Sequence, residues 1–325
     1  DAGGLVTADP SAAGDVYMFA NDQLGTLLQA NAIARLGGAA LEQVKADNSE
    51  TMVASVTSGE GVYGVPFTGN TWFMYYDKSV YTEEDIKSLD AMMAKKPVGF
   101  EVTNTWYLPA FYFAAGGTMF GENGIDGAAG VQFGGEAGAA ATTYVAEALA
   151  AGLMIEGGGG AGLDAMRAGK IGAMFSGDWD EPNLAALGEN LSCAVLPTFT
   201  MNGTDYQMKS FASNKAVGVN PNAKNPKAAM QLAEFLVSAD SLMLRYELSG
   251  YTPAANGATV DSATVTTLNA QMAAATIPQP TIAQMSNFWD PVKNFGLNIL
   301  NGSITHDNAA EMIAKTMELL NSTGL

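Results

Sequence analysis

Residues 286–293 read SNFWDPVK and place an aromatic pair, Phe288 and Trp289, between polar and charged neighbours. Four other segments share this composition: FANDQ (19–23), FTGNTW (67–72), TNTWY (103–107) and SGDWDEP (176–182). A flat aromatic face with hydrogen-bonding groups at its edge suits a sugar ring, which is apolar on one face and polar at its rim. Any one tryptophan could equally be a packing anchor beneath a loop, but together these segments favour a carbohydrate site.

The length and composition of the chain predict a soluble protein of two domains. Its 325 residues exceed the size at which a single hydrophobic core normally stops growing, and 48% of them are hydrophobic against 15% charged. The net charge of −18, from 33 acidic and 15 basic residues, argues against nucleic-acid partners and against a polybasic membrane contact. The sequence has no signal peptide, lipid-attachment cysteine or membrane-length apolar run, so we expect a processed or truncated form if the protein is exported.

Short apolar runs alternate with amphipathic stretches, which predicts an α/β architecture with helices covering largely parallel sheets. The clearest helix is 225–237, where Asn225 is a plausible N-cap and Pro226 occupies the first helical position. A helix is also predicted at 82–95, with Thr82 as its N-cap. The remaining predictions are strands at 16–19, 61–67, 71–76, 170–175, 191–196 and 215–219, helices at 23–36, 109–115, 135–151 and 307–320, and a flexible loop at 157–162.

Most enzyme motifs are missing from the sequence. The chain has one histidine, His306, at the start of the last predicted helix, and one cysteine, Cys193, in an apolar run that reads as a buried strand. Zinc sites and Ser-His-Asp or Cys-His chemistry need more of these residues. Gly157, Gly159 and Gly162 fit the pattern GxGxxG but follow no clear strand. We therefore expect no metal, no cofactor and no catalysis by histidine or cysteine.

Paired carboxylates are the one catalytic arrangement that the sequence leaves open. Asp178 and Asp180 flank Trp179, and Asp290 follows Trp289. A glycosidase needs two such carboxylates about 5–10 Å apart across the scissile bond. The same acids equally suit hydrogen bonding to sugar hydroxyls, and the sequence does not fix the distance between them. A binding protein and a glycoside-acting enzyme therefore both remain possible on the residues alone.

Longer segments resemble the maltose/maltodextrin-binding proteins, the extracellular solute-binding subunits of ABC importers. The matching segments, in chain order, are GDVYMFANDQ (14–23), YGVPFTGNTWFMYYDKSVY (63–81), GKIGAMFSGDWD (169–180), CAVLPTF (193–199) and PQPTIAQMSNFWDPVKNFGLNILNG (278–302). The resemblance implies a binding protein without catalysis that has the type II periplasmic-binding-protein fold. Each of its two lobes would be a mainly parallel sheet flanked by helices, with sugar bound in the cleft between them.

Because the chain of such a protein crosses between the lobes more than once, each lobe is expected to be discontinuous. The resemblance implies that lobe one comprises 1–69 and 216–262, and that lobe two comprises 70–215 and 263–325. Ligands of open α/β sheets usually bind at the carboxyl ends of the strands, where the aromatic and polar loops are predicted to lie.

The resemblance also assigns roles to individual residues. Phe19 corresponds to a stacking aromatic, Asp22 to a carboxylate that bonds sugar hydroxyls, and Trp179 and Trp289 to aromatic platforms, while Trp106 falls in a segment that supplies another aromatic. The departures are Gln23 and Lys293 where Arg is usual, Asn70 where Glu is usual, and Asp290 where Tyr is usual. The implied ligand-binding set is Phe19, Asp22, Gln23, Asn70, Trp106, Trp179, Trp289, Asp290 and Lys293. Retained platforms with altered polar partners fit an α-glucan oligosaccharide of somewhat different length or linkage.

The family begins with a strand, a helix and a second strand before the segment that matches residues 14–23, and we expect this part to be missing here. We expect that the amino-terminal part was removed or lies outside the chosen sequence boundary, rather than that the natural protein lacks it. A natural protein without this central strand would expose unpaired sheet edges. The resemblance further implies a maltooligosaccharide ligand, the permease subunits of an ABC importer as partners, and no nucleic acid. The intact protein is expected to be a monomer, either periplasmic or extracellular and lipid-anchored at the cell surface.

Overall fold

The computed structural model describes residues 3–322, in which strands and helices alternate. The strands are β1 (Val16–Ala20), β2 (Thr57–Ser58), β3 (Gly61–Val62), β4 (Val65–Asn70), β5 (Phe73–Asp77), β6 (Val98–Phe100), β7 (Thr118–Met119), β8 (Val131–Gln132), β9 (Met154–Glu156), β10 (Ala173–Ser176), β11 (Leu191–Ala194), β12 (Thr198–Met201), β13 (Thr204–Gln207), β14 (Ser210–Val219) and β15 (Thr276–Pro278). The helices are α1 (Gly3–Ala8), α2 (Leu24–Gln29), α3 (Gly38–Asp47), α4 (Glu50–Ala54), α5 (Leu89–Lys95), α6 (Pro109–Ala114), α7 (Gly135–Ala150), α8 (Ala161–Arg167), α9 (Glu181–Leu184), α10 (Pro226–Leu236), α11 (Ala239–Ser249), α12 (Ala263–Ala274), α13 (Trp289–Leu300) and α14 (Ala309–Ser322). Short 3-10 turns at Asn21–Gln23 and Asp178–Asp180 contain residues predicted to bind ligand, and a third at Ala283–Asn287 comes just before Phe288 and Trp289.

The first sheet is built around the long strand β14. Strands β1 and β4 pair antiparallel with β14, and β15 pairs parallel with its opposite end. The apolar cluster on this sheet includes Phe19, Val65 and Val217, and it is joined by residues of α10 and α11. Its buried members all fall between residues 6 and 67 or between 216 and 255.

The second sheet has the strand order β11-β5-β10-β6-β9. Its core is rich in aromatic side chains, including Phe100, Phe111 and Phe175, whose rings make edge-to-face contacts. Helix α7 packs against α13 and α14 over this core, while α8 and α12 contribute to a smaller apolar cluster with Phe73 and Tyr75. Each sheet therefore has its own core, as expected for a chain of this size.

Two strands carry the chain between the sheets. Strand β4 ends in the first sheet, and β5 begins in the second sheet after only Thr71 and Trp72. Strand β14 returns the chain, because Phe211 belongs to the second core whereas Val217 belongs to the first. The two crossings lie side by side, and the hydroxyl groups of Thr71 and Ser210 are 2.7 Å apart.

The α/β architecture is as predicted, but the prediction that its sheets are mainly parallel is wrong, because both sheets combine parallel and antiparallel pairs. In the first sheet only the β14–β15 pair is parallel, and in the second sheet two pairs are parallel and two antiparallel. The reason is the crossing itself. Since β4 leaves the first sheet and β14 enters it beside β4, the two neighbours must run in opposite directions.

Helix ends follow local capping where the sequence has a strong cap. Asn225 accepts a hydrogen bond from the backbone N–H of Ala228, so the predicted cap of α10 is confirmed. The helix predicted at 82–95 begins later than expected, because Thr82 and Asp85 bond to each other in a short turn and Ser88 caps α5 instead.

Two other predictions differ from the structure. The helix predicted at 23–36 is confined to α2, whose last turn gives way to Asn31 in a left-handed conformation with φ of 51°. The loop predicted at 157–162 is a 3-10 turn that runs into α8, because the N–H of Gly162 bonds to the carbonyl of Gly157 at 2.9 Å.

Candidate functional site

Trp106 and Trp179 form an aromatic pair at one edge of the second sheet. Trp106 follows β6, and Trp179 lies in the turn directly after β10. Because β6 and β10 are parallel neighbours, their carboxyl ends meet at the same edge. The ring centroids lie 6.1 Å apart with an angle of 36° between the planes, and both side chains remain partly exposed. The pair thus offers apolar ring surface where ligands of such sheets bind.

Hydrogen bonds fix the position of Trp106. Its backbone N–H donates to Oδ1 of Asn104 at 3.0 Å, and its indole N–H donates to Oε1 of Gln279 at 3.0 Å. The indole N–H of Trp72 donates to the carbonyl of Trp106 at 3.3 Å. Since Gln279 follows β15 and is only 7% exposed, the ring is held by both the second sheet and a segment beside the first.

Trp179 rests directly on the backbone of Gly177. A Cβ atom added at Gly177 would lie 2.0 Å from the indole ring of Trp179. The backbone of Gly177 is extended, with φ of −99° and ψ of −170°, so any residue can adopt it. Glycine is therefore needed here to leave room for the indole and not to satisfy the backbone.

We expect the substitution Gly177→Ala to weaken ligand binding by about tenfold through displacement of the Trp179 ring, since overpacking typically costs about 1–3 kcal/mol. The fold should survive because the backbone conformation suits alanine. Calorimetry with maltotriose, together with thermal unfolding, checks this. Gly203→Ala is the matched control for a general effect of adding a methyl group, because nothing lies within 4 Å of its Cβ position, although its φ of +78° will cost stability. Unchanged affinity in Gly177→Ala contradicts the prediction.

Asp22 and Trp289 come from different sheets and meet. Asp22 lies in the turn that follows β1, and Trp289 begins α13 on the second core. The side chain of Trp289 lies close enough to the carboxylate of Asp22 for its indole N–H to favour the charged form. Both residues line a cavity of about 210 Å³, together with Gly4, Thr7, Gln23, Thr26 and Ser286.

Gly25 allows this meeting. Its backbone N–H donates to the carbonyl of Thr281 at 2.8 Å, which joins the start of α2 to the segment before Trp289. A Cβ atom at Gly25 would lie 2.3 Å from the backbone nitrogen of Ala283, so only glycine permits the approach. The position of Asp22 beside Trp289 therefore depends on a residue that the sequence patterns did not single out.

Burial raises the pKa of the Asp22 carboxyl from its ordinary value of 3.8 to about 6, although the nearby indole N–H of Trp289 favours the charged form. The carboxylate is a stronger acceptor for sugar hydroxyls than the neutral acid. Protonation near pH 6 should therefore weaken any ligand that bonds to the charged form.

We expect the affinity for maltotriose to be constant above about pH 7 and to fall by about tenfold by about pH 5, as Asp22 becomes protonated. The variant Asp22→Asn should bind with little pH dependence over the same range. Stability should respond in the opposite sense: the raised pKa means that the folded protein holds this proton more tightly, so the free energy of unfolding should decrease as the pH rises from about 4 to about 6. Calorimetry and denaturant titration across this range check both trends, and equal pH profiles for both proteins would refute them.

The other residues predicted from the resemblance lie in different environments, from the core to the exposed surface. Phe19 is 2% exposed and belongs to the first core, so its ring packs inside the protein and its stacking role finds no support in its position. Asn70 donates from Nδ2 to Oγ of Ser213 at 3.2 Å, beside the crossing. Asp290 and Lys293 are exposed on α13.

Sequence reasoning missed several polar residues near the aromatic pair. Glu101 accepts a hydrogen bond from Nδ2 of Asn104 at 2.7 Å, and burial raises the pKa of its carboxyl. Gln279 holds Trp106, as described above. Both lie within or beside quoted segments, but glutamate and glutamine occur so often on surfaces that their types alone gave no signal.

The carboxylates proposed for catalysis are engaged in structural bonds. Asp178 is 2% exposed and accepts the backbone N–H of Thr252 at 2.8 Å. The two oxygens of Asp180 accept hydrogen bonds from Ser176 at 2.6 Å and Asn183 at 2.9 Å. Within residues 3–322, no group of three or more His, Cys, Asp and Glu side chains is arranged to hold a metal ion, and no helix is both long and apolar enough to cross a bilayer.

A family model described as bacterial extracellular solute-binding protein matches residues 4–274 of the chain. The chain belongs to this family. The match covers most of both sheets and the turns that carry Asp22, Trp106 and Trp179. This solute-binding protein is therefore a member of an extracellular family with a two-lobed α/β fold, as the resemblance predicted.

Three comparisons refine the family of this solute-binding protein. It is 26% identical over 318 residues to a maltooligosaccharide ABC transporter solute-binding lipoprotein of Streptococcus pneumoniae, covering 91% of this chain and 74% of the relative. A solved structure determined with acarbose is 43% identical, with a TM-score of 0.94 over 99% of this chain and 87% of the other. The maltodextrin-binding protein MalE1 from L. casei BL23, solved without ligand, is 26% identical, with a TM-score of 0.88 over 98% and 87% of the two chains. The predicted resemblance to maltodextrin-binding proteins is thus confirmed.

Proposed function

We propose that this protein binds maltooligosaccharides in the cleft between its lobes and delivers them to the permease of an ABC transporter. The observation that carries the proposal is the Trp106–Trp179 pair, with rings 6.1 Å apart at the carboxyl edge of the second sheet. Two adjacent, partly exposed indoles suit the apolar faces of consecutive sugar rings. The names of the related proteins support an α-glucan ligand.

The two apolar cores support the proposed division into lobes at 1–69 with 216–262, and 70–215 with 263–325, although β15 from the last range pairs with the start of β14 in the first sheet. Each sheet has a separate apolar core, and the residues of the first core fall within the first pair of ranges. Under this proposal Asp22 faces the ligand from lobe one, while Trp106, Trp179 and Trp289 face it from lobe two. Closure follows because the closed form lets one ligand contact both lobes, and a ligand shifts the balance only by this difference in affinity.

The remaining members of the proposed site differ in how close they lie to these four residues. Gln23 lines the cavity beside Asp22, while Asp290 and Lys293 lie on the first two turns of α13, next to Trp289. Asn70 lies at the crossing and reaches the ligand only if its bond to Ser213 exchanges for one to sugar. Phe19 is the weakest member, since it reaches a sugar only if the first core opens around it.

Isothermal titration calorimetry with maltotriose tests the proposal, with cellotriose as the matched sugar of the opposite linkage. We expect one-to-one binding of maltotriose and no heat from cellotriose. Absence of heat from maltotriose, in protein that still unfolds cooperatively, would show that the ligand class is wrong. Heat from cellotriose would instead favour a solute-binding protein for a different oligosaccharide, the alternative left open by the altered residues at positions 23, 70, 290 and 293.

We further propose that the protein performs no catalysis and acts as a monomer when intact. A catalytic carboxylate must touch the glycosidic bond, and the burial of Asp178 against Thr252 opposes that role. Prolonged incubation of maltotetraose with stoichiometric protein should leave the sugar unchanged, and the appearance of shorter sugars would contradict this. Analytical ultracentrifugation with and without sugar tests the oligomeric state: the mass of one chain is expected, and a larger mass would contradict the proposal.

A further inference from the structure

A buried acid lies beside one of the aromatic platforms. Asp178 directly precedes Trp179 and is 2% exposed. None of the ion pairs within residues 4–322 includes it, although burying a carboxylate without a partner is costly. Burial of this carboxylate in a turn therefore needs a polar partner, and a hydrogen bond to the backbone supplies one.

The bond of Asp178 leads from the second sheet to the first. Its carboxylate accepts the backbone N–H of Thr252 at 2.8 Å, and the carbonyl of Thr252 accepts the hydroxyl of Thr68 at 2.5 Å. Thr252 follows α11, and Thr68 lies on β4, where it also bridges to Pro253. The exposed fractions of Asp178, Thr252 and Thr68 are 2%, 4% and 1%. A continuous, water-excluded chain of hydrogen bonds therefore joins the Trp179 turn to the first sheet.

This chain reaches the crossing between the sheets. Thr68 lies close before Asn70 and Thr71, whose polar groups bond to Ser213 and Ser210 on the returning strand. We call these five residues the hinge seam: Thr68, Asn70, Thr71, Ser210 and Ser213. On the other side, Ser176 pairs with Phe73, so the turn that carries Asp178 begins beside the same crossing. The contact therefore lies beside the two strands that connect the sheets.

We propose that Asp178 is a positioning residue that ties the Trp179 platform to the hinge seam through Thr252. The inference rests on the proposed function, because it assigns a cause to the position of a sugar-binding ring. Contacts beside connecting strands move little when two lobes rotate about those strands, so this anchor holds the turn that carries Trp179 in one position relative to the hinge seam in both open and closed forms. The backbone N–H of Thr252 is the group that Asp178 recognises, and an amide oxygen in its place can still accept that bond.

Three variants test the inference. Asp178→Ala should weaken maltotriose binding by about tenfold, whereas Asp178→Asn, which keeps the acceptor, should stay within about threefold of the parent. Thr68→Val removes the other end of the chain with a similar shape, and should weaken binding by about threefold even if Asp178→Ala fails to fold. Thr142→Ala is the matched control, because it removes a fully buried hydroxyl on α7 that bonds only within the second core.

A mutant cycle separates positioning from general stability. If Asp178 acts through the Trp179 ring, Asp178→Ala or Thr68→Val should cost little further affinity in a Trp179→Ala background, less than about threefold. An undiminished cost in that background overturns the proposal. So does a loss of stability like that of Thr142→Ala with affinity unchanged.

A readout without sugar keeps the inference apart from the proposed function. Tryptophan fluorescence of Asp178→Ala or Thr68→Val should differ from that of the parent, and the difference should vanish when Trp179 is replaced by Phe. If the parent binds no maltotriose, the proposed function fails while this comparison still decides whether Asp178 positions Trp179. Spectra that match the parent in both variants overturn the inference.

Discussion

Replacement of Trp179 by alanine is expected to weaken the binding of maltotriose by about 100-fold, or about 2.7 kcal/mol. The indole is partly exposed, lies at an angle of 36° beside the ring of Trp106 and rests on Gly177, so its ring surface is fixed before any ligand arrives. Truncation removes the ring surface that Trp179 offers to a sugar and leaves Trp106 without its neighbour. Isothermal titration calorimetry on the two proteins measures the change directly.

The matched control for this variant is Phe235→Ala. Phe235 lies on α10, which packs on the first core, whereas the aromatic pair lies on the second. Its side chain is 66% exposed, so its loss should leave affinity within about twofold. Trp179→Phe should recover part of the affinity because a smaller ring still offers a flat face. Equal affinities for the parent and Trp179→Ala would remove Trp179 from the site and with it the main support for the proposed function.

The second large effect is expected from Asp22→Ala, with a loss of affinity of about 100-fold. Asp22 supplies the one half-buried carboxylate that the described structure brings from the first sheet to a tryptophan of the second. Hydrogen bonds to charged groups contribute about 1.5–3 kcal/mol each, and a sugar can engage both carboxylate oxygens. The variant also removes the carboxylate that lies beside the indole N–H of Trp289.

The substitution Asp22→Ala should lower the affinity for sugar and raise the free energy of unfolding. Removal of a carboxyl group whose pKa is raised to about 6 by burial should stabilise the fold near neutral pH while it weakens binding. Asp307→Ala is the control, since Asp307 is exposed before α14 and should affect neither property by more than about 0.5 kcal/mol. A variant that loses stability and keeps its affinity would instead identify Asp22 as a structural residue.

Local sequence patterns were reliable where a single cap or motif decides the outcome. The cap at Asn225 with Pro226 gave the start of α10, and the segment around Trp179 gave a turn after a buried strand. Patterns failed where a later residue provides the helix cap instead of the predicted one. Thr82 bonds to Asp85 in a short turn, and Ser88 caps α5 in its place. The alternation of strand and helix also could not give strand direction, which depends on how β4 and β14 cross between the sheets.

The sequence by itself determined the family, the two cores and the aromatic segments, because these depend on residue type and order along the chain. Only the tertiary structure decided which aromatic faces are available. Phe19 points into the first core because a strand alternates its side chains between two faces and packing selects the face. Trp106 and Trp179 lie in turns after neighbouring strands, and they meet because those strands are paired in the sheet. The bond from Asp178 to Thr252 likewise joins residues 74 positions apart, and such contacts arise from the packing of separate elements rather than from any local pattern.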